Sequence, residues 1–317
     1  MARIVICEFM DERAVVQLNA SHEVMYDASL QKDALRLLQE AANCDALIVR
    51  NLTQVRGDLL DALEASDRCK VIGRLGVGLD NIDVPGCEAA GMAVIPATGA
   101  NALSVAEYVI TSALVLLRGA FACTAGVASG QWPRAAVNNG REMAGQILGV
   151  IGFGSIGQLT AQKARAMGMQ VVAFDAMLPV GASVFAQNGV TQVALDDLIK
   201  QSDVVTLHVP LVESGPHGSG TRGLFNAARI ASMKRGAVLI NTSRGHILDV
   251  AAVATALRSG QLGGAAIDVF DVEPMPANVE LQDCPNLLLT PHISGLSFQS
   301  NERVSFMIAE KVLALLK

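Results

Sequence analysis

The sequence predicts an α/β protein built from two doubly wound parallel-sheet domains with a cleft between them. Three observations predict it. Strand-like and helical runs alternate in two successive blocks, a glycine-rich turn opens the second block, and 317 residues exceed what one ordinary core holds. Together they describe two Rossmann-like domains.

In the first block the β-rich runs RIVICEF, ALIVR, KVIGRLG and MAVIPAT alternate with the helical runs ASLQKDALRLLQEAAN and GDLLDALEAS. A long helix follows from Asn101 to Arg118, apolar on most of its circumference and so expected to be buried between domains or subunits. The second block runs through strand ILGVIGF, helix SIGQLTAQKARAMG, strands QVVAFD and DVVTLHVP, helix LFNAARIASM, strand AVLIN, helix DVAAVATALRSG, and strands GAAIDVF and NLLLTP. The stretch NERVSFMIAEKVLALLK closes the chain as an amphipathic helix. Residues 1–98 with 292–317 are expected to form a substrate-binding domain, and residues 99–291 a cofactor domain.

Composition narrows the function. The chain is 51% hydrophobic and 17% charged, a globular profile. Its net charge of −6 argues against a nucleic-acid partner, whose phosphates demand a basic face. The six cysteines are scattered without a CxxC pair and sit mostly among apolar neighbours, which points to a reducing, cytoplasmic setting and no metal. The start lacks the pattern of a signal peptide, and the apolar stretch Tyr108 to Leu117 is too short to span a bilayer.

The run GVIGFGSIG, Gly149 to Gly157, carries Gly152, Gly154 and Gly157 between a buried strand and a helix. In that context Gly152 serves the tight turn, Gly154 lets backbone approach a pyrophosphate, and Gly157 allows close helix packing. The helix start at Ser155 and Ile156 offers unpaired N–H groups to phosphate oxygens. Asp175 ends the next strand, where an acid meets the adenosine ribose. No Arg or Lys follows before Lys200, so NAD is favoured over NADP.

Three further strand ends carry polar residues out of apolar runs: INTSRG with Arg244, IDVFDVEP with Asp268 and Glu273, and LTPHISG with His292. Ligands of open α/β sheets bind at such carboxyl ends. Hydride arriving at a C2 carbonyl builds negative charge on oxygen, which a donor must neutralise. An imidazolium supported by a carboxylate can do so near neutral pH, and an arginine is a fixed electrophile.

With GRLGVGLDNID, GANALSVAEYV, GFGSIG, TLHVPL, INTSRG, IDVFDVEP and TPHISG in place, the sequence resembles the D-isomer-specific 2-hydroxyacid dehydrogenase family over essentially its full length. The resemblance implies an NAD-dependent enzyme in which Arg244 binds and polarises the keto acid, His292 is the acid/base and Glu273 its partner. It also implies that His208, Val209, Pro210, Thr242, Ser243, Asp268 and Gly295 line the cofactor. Val77 and Gly78 would hold the substrate carboxylate, the run Gly76-Val77-Gly78 forming a nest of N–H groups, with Asn101 beside the substrate.

Arg50 and Arg74 match phosphate-binding positions of the 3-phosphoglycerate dehydrogenase branch. CEFMD, IVRNLTQVRGDL, PATGANALSVAEYV and GQWPR resemble the sulfolactate dehydrogenase branch. The expected substrate is therefore a small 2-hydroxy acid with an anionic tail, which Arg134 would also reach, from a second subunit of a homodimer. Glyoxylate or hydroxypyruvate reduction is the alternative within the class, and an NAD(H)-sensing, corepressor-like binding protein the alternative outside it. The loop LVESGPHGSGTRGLF is longer than the family's usual connection, so no role is carried onto Glu213 to Gly220. The family's long members append a regulatory domain that has no counterpart after the last helix, and serine feedback is not expected.

Overall fold

Short apolar runs buried on both faces become the strands of two parallel sheets, since helices cover each side and leave no polar face to alternate with. The computed structural model describes residues 1–213 and 220–316, and the chain forms two units, Met1–Asn101 with Leu296–Lys317, and Ala102–Gly295.

The first unit comprises β1 (Arg3–Ile6), α1 (Glu12–Asn19), β2 (Glu23–Tyr26), α2 (Ala34–Ala41), β3 (Ala46–Val49), α3 (Asp58–Ser66), β4 (Val71–Arg74), α4 (Val84–Ala89) and β5 (Ala93–Pro96). Its strands pair in the order β2-β1-β3-β4-β5. The winding direction reverses between β1 and β3, so the ligand-binding crevice of such a sheet lies at their carboxyl ends.

The second unit comprises α5 (Ala102–Arg118), α6 (Thr124–Ala128), β6 (Ile147–Ile151), α7 (Ser155–Ala166), β7 (Gln170–Phe174), α8 (Ser183–Gln187), β8 (Thr191–Gln192), α9 (Leu195–Gln201), β9 (Val204–Leu207), α10 (Ala227–Ala231), β10 (Ala237–Asn241), α11 (Val250–Arg258), β11 (Leu262–Ile267) and β12 (Leu287–Leu289). Among the described residues the order is β12-β11-β10-β9-β6-β7-β8, with the reversal between β6 and β9. The last helix, α12 (Phe298–Leu315), returns to the first unit. There a side chain at Gly73 of β4 would begin 2.9 Å from Ile308, so glycine lets α12 lie close on the sheet.

The long apolar helix α5 buries Val105, Val109, Ala113 and Leu116 in one cluster with Leu148, Val150, Val238 and Ile240 of the second unit's own sheet. Its apolar character is thus used within that unit. The predicted single helix ASLQKDALRLLQEAAN is divided, because the Asp33 side chain accepts from Arg36 N and starts α2 there. Helix α1, capped by Asp11, and the half-exposed edge strand β2 were not expected, nor were α8, β8 and α9 between QVVAFD and DVVTLHVP.

The boundary at residue 292 also shifts. His292 and Gly295 belong to the second unit, because His292 N donates to Asp268 O (2.8 Å) and Thr290 N to Ile267 O (3.1 Å). Among the described residues no single helix is long and apolar enough to cross a membrane.

Candidate active site

Strand β6 turns at Gly152 with φ +90°, a left-handed conformation that only glycine adopts without strain. A side chain there would also begin 2.5 Å from His208 O. A side chain at Gly157 would strike Gly152 O, whereas nothing lies within 4 Å of the position a Cβ of Gly154 would take. The turn is therefore tight where protein meets protein and open where a pyrophosphate would approach. Phe153 anchors it, stacked on Phe185 at 4.8 Å between ring centroids. Ser155 and Ile156 open α7, whose first turn has no capping side chain, so its N–H groups are available to an anion.

Asp175 is braced. Its Oδ2 accepts from Phe153 N and its Oδ1 from Met177 N, both at 2.8 Å, which fixes the carboxylate beside the glycine turn. Two buried polar atoms nearby have no protein partner, His208 Nδ1 after β9 and Thr242 Oγ1 after β10. Buried polar atoms are ordinarily satisfied, so these two mark where a polar ligand belongs. The residues present thus fit a dinucleotide.

His208 Nε2 meets Thr206 Oγ1 at 3.1 Å, and burial pushes the imidazole down to about 3. It is neutral at physiological pH and takes no part as an acid. Val209 lies against Gly152, and Pro210 continues the segment. Ser243 is occupied differently from the expectation: its N and Oγ both donate to Asn241 Oδ1, at 3.0 and 2.8 Å. Asn241 Nδ2 in turn donates to Arg244 O at 2.9 Å. Asn241, which the sequence reading did not single out, therefore shapes the whole 242–244 turn.

Arg244 leaves that turn in extended conformation, with its Nη1 donating to Ser243 O at 2.6 Å. A side chain at the next residue, Gly245, would strike the backbone of Phe270 and Asp271, so the turn after β10 packs directly on the loop that carries Glu273. Glu273 Oε1 accepts from Phe270 N at 2.9 Å, and its Oε2 lies 2.7 Å from His292 Nδ1. With a carboxylate accepting there, Nδ1 carries the hydrogen and Nε2 is the nitrogen left to exchange a proton. The pair is 47% and 36% exposed, open to an incoming substrate.

His292 has φ +55°, and what holds it there is Asp268. This carboxylate is wholly buried. It accepts from Thr290 Oγ1 at 2.6 Å and from Ile293 N and Ser294 N, each at 2.8 Å. Because Thr290 donates to the carboxylate, the 2.6 Å contact between Thr290 and Tyr108 must have the tyrosine as donor. Asp268, expected only to line the cofactor, is thus the post around which the histidine turn is wrapped, and Tyr108 was missed altogether. Gly295 closes the turn at the end of the second unit.

In the first unit Arg50 directly follows β3 and Arg74 ends β4. Arg50 Nη2 donates to Asn301 Oδ1 at 2.7 Å, and its guanidinium lies 5.7 Å from the Phe9 ring centroid. Among the described residues it forms no ion pair. Neither Gly76 nor Gly78 has positive φ, so the glycines do not act as a left-handed nest. Gly76 is needed for another reason: the Arg74 guanidinium fills the space its Cβ would take. Gly76 N donates to Arg74 O at 2.8 Å, and among the described residues the N–H groups of Val77 and Gly78 have no hydrogen-bond partner. Asn101, the last residue before α5, has a buried Oδ1 without a protein partner. Arg134 is exposed on a short 3-10 turn of the second unit, beside Trp132, which is 78% exposed. The residues Ser214 to Ser219 of the long loop lie outside the described residues.

Residues 110–294 match the model of the D-isomer specific 2-hydroxyacid dehydrogenase NAD binding domain. The chain is 45% identical to the (S)-sulfolactate dehydrogenase of Chromohalobacter salexigens, over 98% of this chain and 97% of that protein. It is 36% identical to the D-3-phosphoglycerate dehydrogenase of Bacillus subtilis over 91% of this chain, which spans about half, 52%, of that longer protein. Among solved structures, the TT0316 protein of Thermus thermophilus superposes with a TM-score of 0.85 at 30% identity, covering 99% of this chain and 96% of that one. The chain belongs to the D-isomer specific 2-hydroxyacid dehydrogenase family and is an NAD-dependent oxidoreductase acting on a 2-hydroxy acid.

Proposed function

We propose that the protein interconverts a 2-hydroxy acid carrying a second anion, of the 3-phosphoglycerate or (S)-sulfolactate kind, with its 2-keto acid. One observation carries the anionic tail: Arg50 is a half-buried guanidinium at the switch point of the first sheet, held by the neutral Asn301 and the face of Phe9 rather than by an acid. Burial lowers its pKa, and the charge of Glu8 raises it back in part. A desolvated cation without an ion pair among the described residues is suited to a ligand anion, and Arg presents several fixed donors to tetrahedral oxygens. Glyoxylate would leave it unused.

The roles follow from the chemistry. Val77 and Gly78 bind the substrate carboxylate, Arg244 polarises the C2 oxygen, and His292 Nε2 delivers or removes the proton on that oxygen. Glu273 keeps Nδ1 protonated and stabilises the imidazolium that forms in the oxidation direction. Bound NAD supplies or accepts the hydride. Asp175 takes the ribose hydroxyls and disfavours a 2′-phosphate, while Thr242 and the neutral His208 offer their unpaired atoms to the cofactor.

The exposed Phe121, Val127 and Trp132 cluster in one stretch of chain, a surface suited to a second copy in a homodimer, with Arg134 at its edge. The buried free thiols Cys7, Cys44, Cys69 and Cys87 support a cytoplasmic site of action. The test is NADH oxidation with sulfopyruvate, 3-phosphohydroxypyruvate, hydroxypyruvate and glyoxylate. A kcat/KM at least tenfold higher for a tail-bearing acid supports the reading, and equal values on all four refute it. No turnover on any of them would favour the cofactor-sensing role instead.

A further inference from the structure

Helix α12 carries a cation that the chemistry above does not use. Arg303 is half-buried, and its Nε donates to Ala100 O at 2.9 Å. Its Nη2 is buried without a protein partner, and among the described residues the guanidinium forms no ion pair. Asn301 lies two positions earlier, a rotation of about 200° around the helix, so the two side chains leave α12 on opposite flanks. Asn301 meets Arg50 after β3, and Arg303 meets the turn after β5. The strand order β3-β4-β5 places the turn after β4, Gly76-Val77-Gly78, between them. Three hydrogen bonds join that turn to Arg303: Ala97 N donates to Gly76 O at 2.8 Å, Ala100 N to Ala97 O at 3.1 Å, and Arg303 Nε to Ala100 O. All of these residues belong to the first unit.

We propose that Arg303 is a further substrate-binding residue, whose guanidinium pairs with the carboxylate received by the N–H groups of Val77 and Gly78. The proposal rests on the reading that the substrate's carboxylate binds at those two residues. A guanidinium taken out of water without a counter-ion is costly, so a half-buried one with an orphaned donor marks where an anion belongs. Asn101, the residue after Ala100, has an orphaned Oδ1 of its own. A donor and an acceptor left open at one turn suit a ligand that offers both kinds of group, as a hydroxy carboxylate does. Arg50 then serves the tail on one flank of α12 and Arg303 the carboxylate on the other. The Arg50 turn has a separate brace, since the buried Glu8 carboxylate accepts from Arg50 N at 2.8 Å, Thr53 N at 3.0 Å and Leu52 N at 3.1 Å. Removing Arg303 therefore leaves the tail contact in place.

Oxamate and oxamide share one planar skeleton and differ only in a carboxylate against a neutral carboxamide, so they are the probes. Each is measured as an inhibitor competing with the keto acid on the enzyme with NADH. The wild-type enzyme is expected to bind oxamate about tenfold or more tightly than oxamide. Arg303→Gln keeps a donor for Ala100 O and removes the charge. It should weaken oxamate by about tenfold or more and oxamide by less than about threefold. In turnover the same variant should raise KM for sulfopyruvate and for pyruvate by similar factors, since the two share the carboxylate and differ in the tail, with kcat within about threefold of wild type. A second measurement needs no variant: in a crystal structure of the wild-type enzyme with NADH and oxamate, a carboxylate oxygen should lie within hydrogen-bond reach of Arg303.

If Arg303→Gln does not fold, the crystal structure decides, and an oxamate carboxylate out of reach of Arg303 overturns the proposal. A folded Arg303→Gln that weakens both inhibitors alike, as loss of the turn alone would, or that weakens neither, overturns it while leaving Val77 and Gly78 as the carboxylate site. A rise in KM for sulfopyruvate alone would put Arg303 on the tail and overturn it too. If the wild-type enzyme binds oxamate no better than oxamide, the carboxylate reading fails and the proposal with it.

Discussion

Replacing Asp268 by Asn separates the two roles open to that residue, bracing the histidine turn and lining the cofactor. The carboxylate accepts three hydrogen bonds inside the protein, from Thr290 Oγ1, Ile293 N and Ser294 N. An amide at the same place keeps one acceptor oxygen and turns an NH2 group toward a backbone N–H. One charge-assisted bond is lost, worth about 1.5–3 kcal/mol, and a buried donor is left unsatisfied at a further cost of about 1–3 kcal/mol. The strain falls on the turn that holds His292 at φ +55° and sets the 2.7 Å contact with Glu273. Misplacement of a reacting group by about 1 Å costs on the order of a hundredfold in rate. Asp268→Asn should therefore lower kcat by on the order of a hundredfold while the NADH dissociation constant, read by fluorescence quenching, moves less than threefold. A kcat within threefold of wild type with a much weaker NADH complex would refute the bracing role.

The remaining predictions concern the pair, the cofactor and a buried base. His292→Gln should lose roughly a hundredfold or more in kcat with little change in NADH affinity, since general acid–base catalysis contributes roughly 10²–10⁴-fold; near-full turnover would remove His292 from the chemistry. Asp175→Ala should shift the kcat/KM ratio for NADPH over NADH upward by tenfold or more, and an unchanged ratio would mean that the brace on Phe153 is its only task. His208 has a folded pKa of about 3 against an ordinary value of 6.5, so the unfolded chain binds its proton first as pH falls. Its contribution to stability is fully present above about pH 6.5 and is lost progressively toward pH 3, the loss reaching about 3 kcal/mol at pH 4. Denaturant titrations of the apoenzyme should show that slope, and His208→Asn should flatten it.

The parts of the site legible in the sequence are those whose partners are neighbours in the chain. Gly152, Gly154 and Gly157 announce a turn by their spacing, and Asp175 follows at the next strand end. Glu273 and His292 stood out because polar residues interrupt apolar strand ends. The braces were not legible for the opposite reason. Glu8 reaches N–H groups more than forty residues away, Asp268 reaches a turn more than twenty residues on, and Tyr108 sits on a helix far from Thr290 in sequence. Nothing local distinguishes a lone acid that accepts backbone N–H groups from one that faces water. Gly76 shows a subtler limit, since its presence was legible but its reason, the room it leaves for the Arg74 guanidinium, was not. In the fold, β2 escaped notice because one exposed and three half-exposed residues lack the continuous apolar run of a central strand.

That same Gly76 makes the electrostatics of the first unit hostage to an uncharged position. A single methyl group there would evict the Arg74 guanidinium from its place and lower the local positive charge, although no ionisable residue had changed. Among relatives of this chain, the residue two places after β4 should therefore vary together with the charge of the acid each one accepts, and a survey of charged residues alone would overlook it.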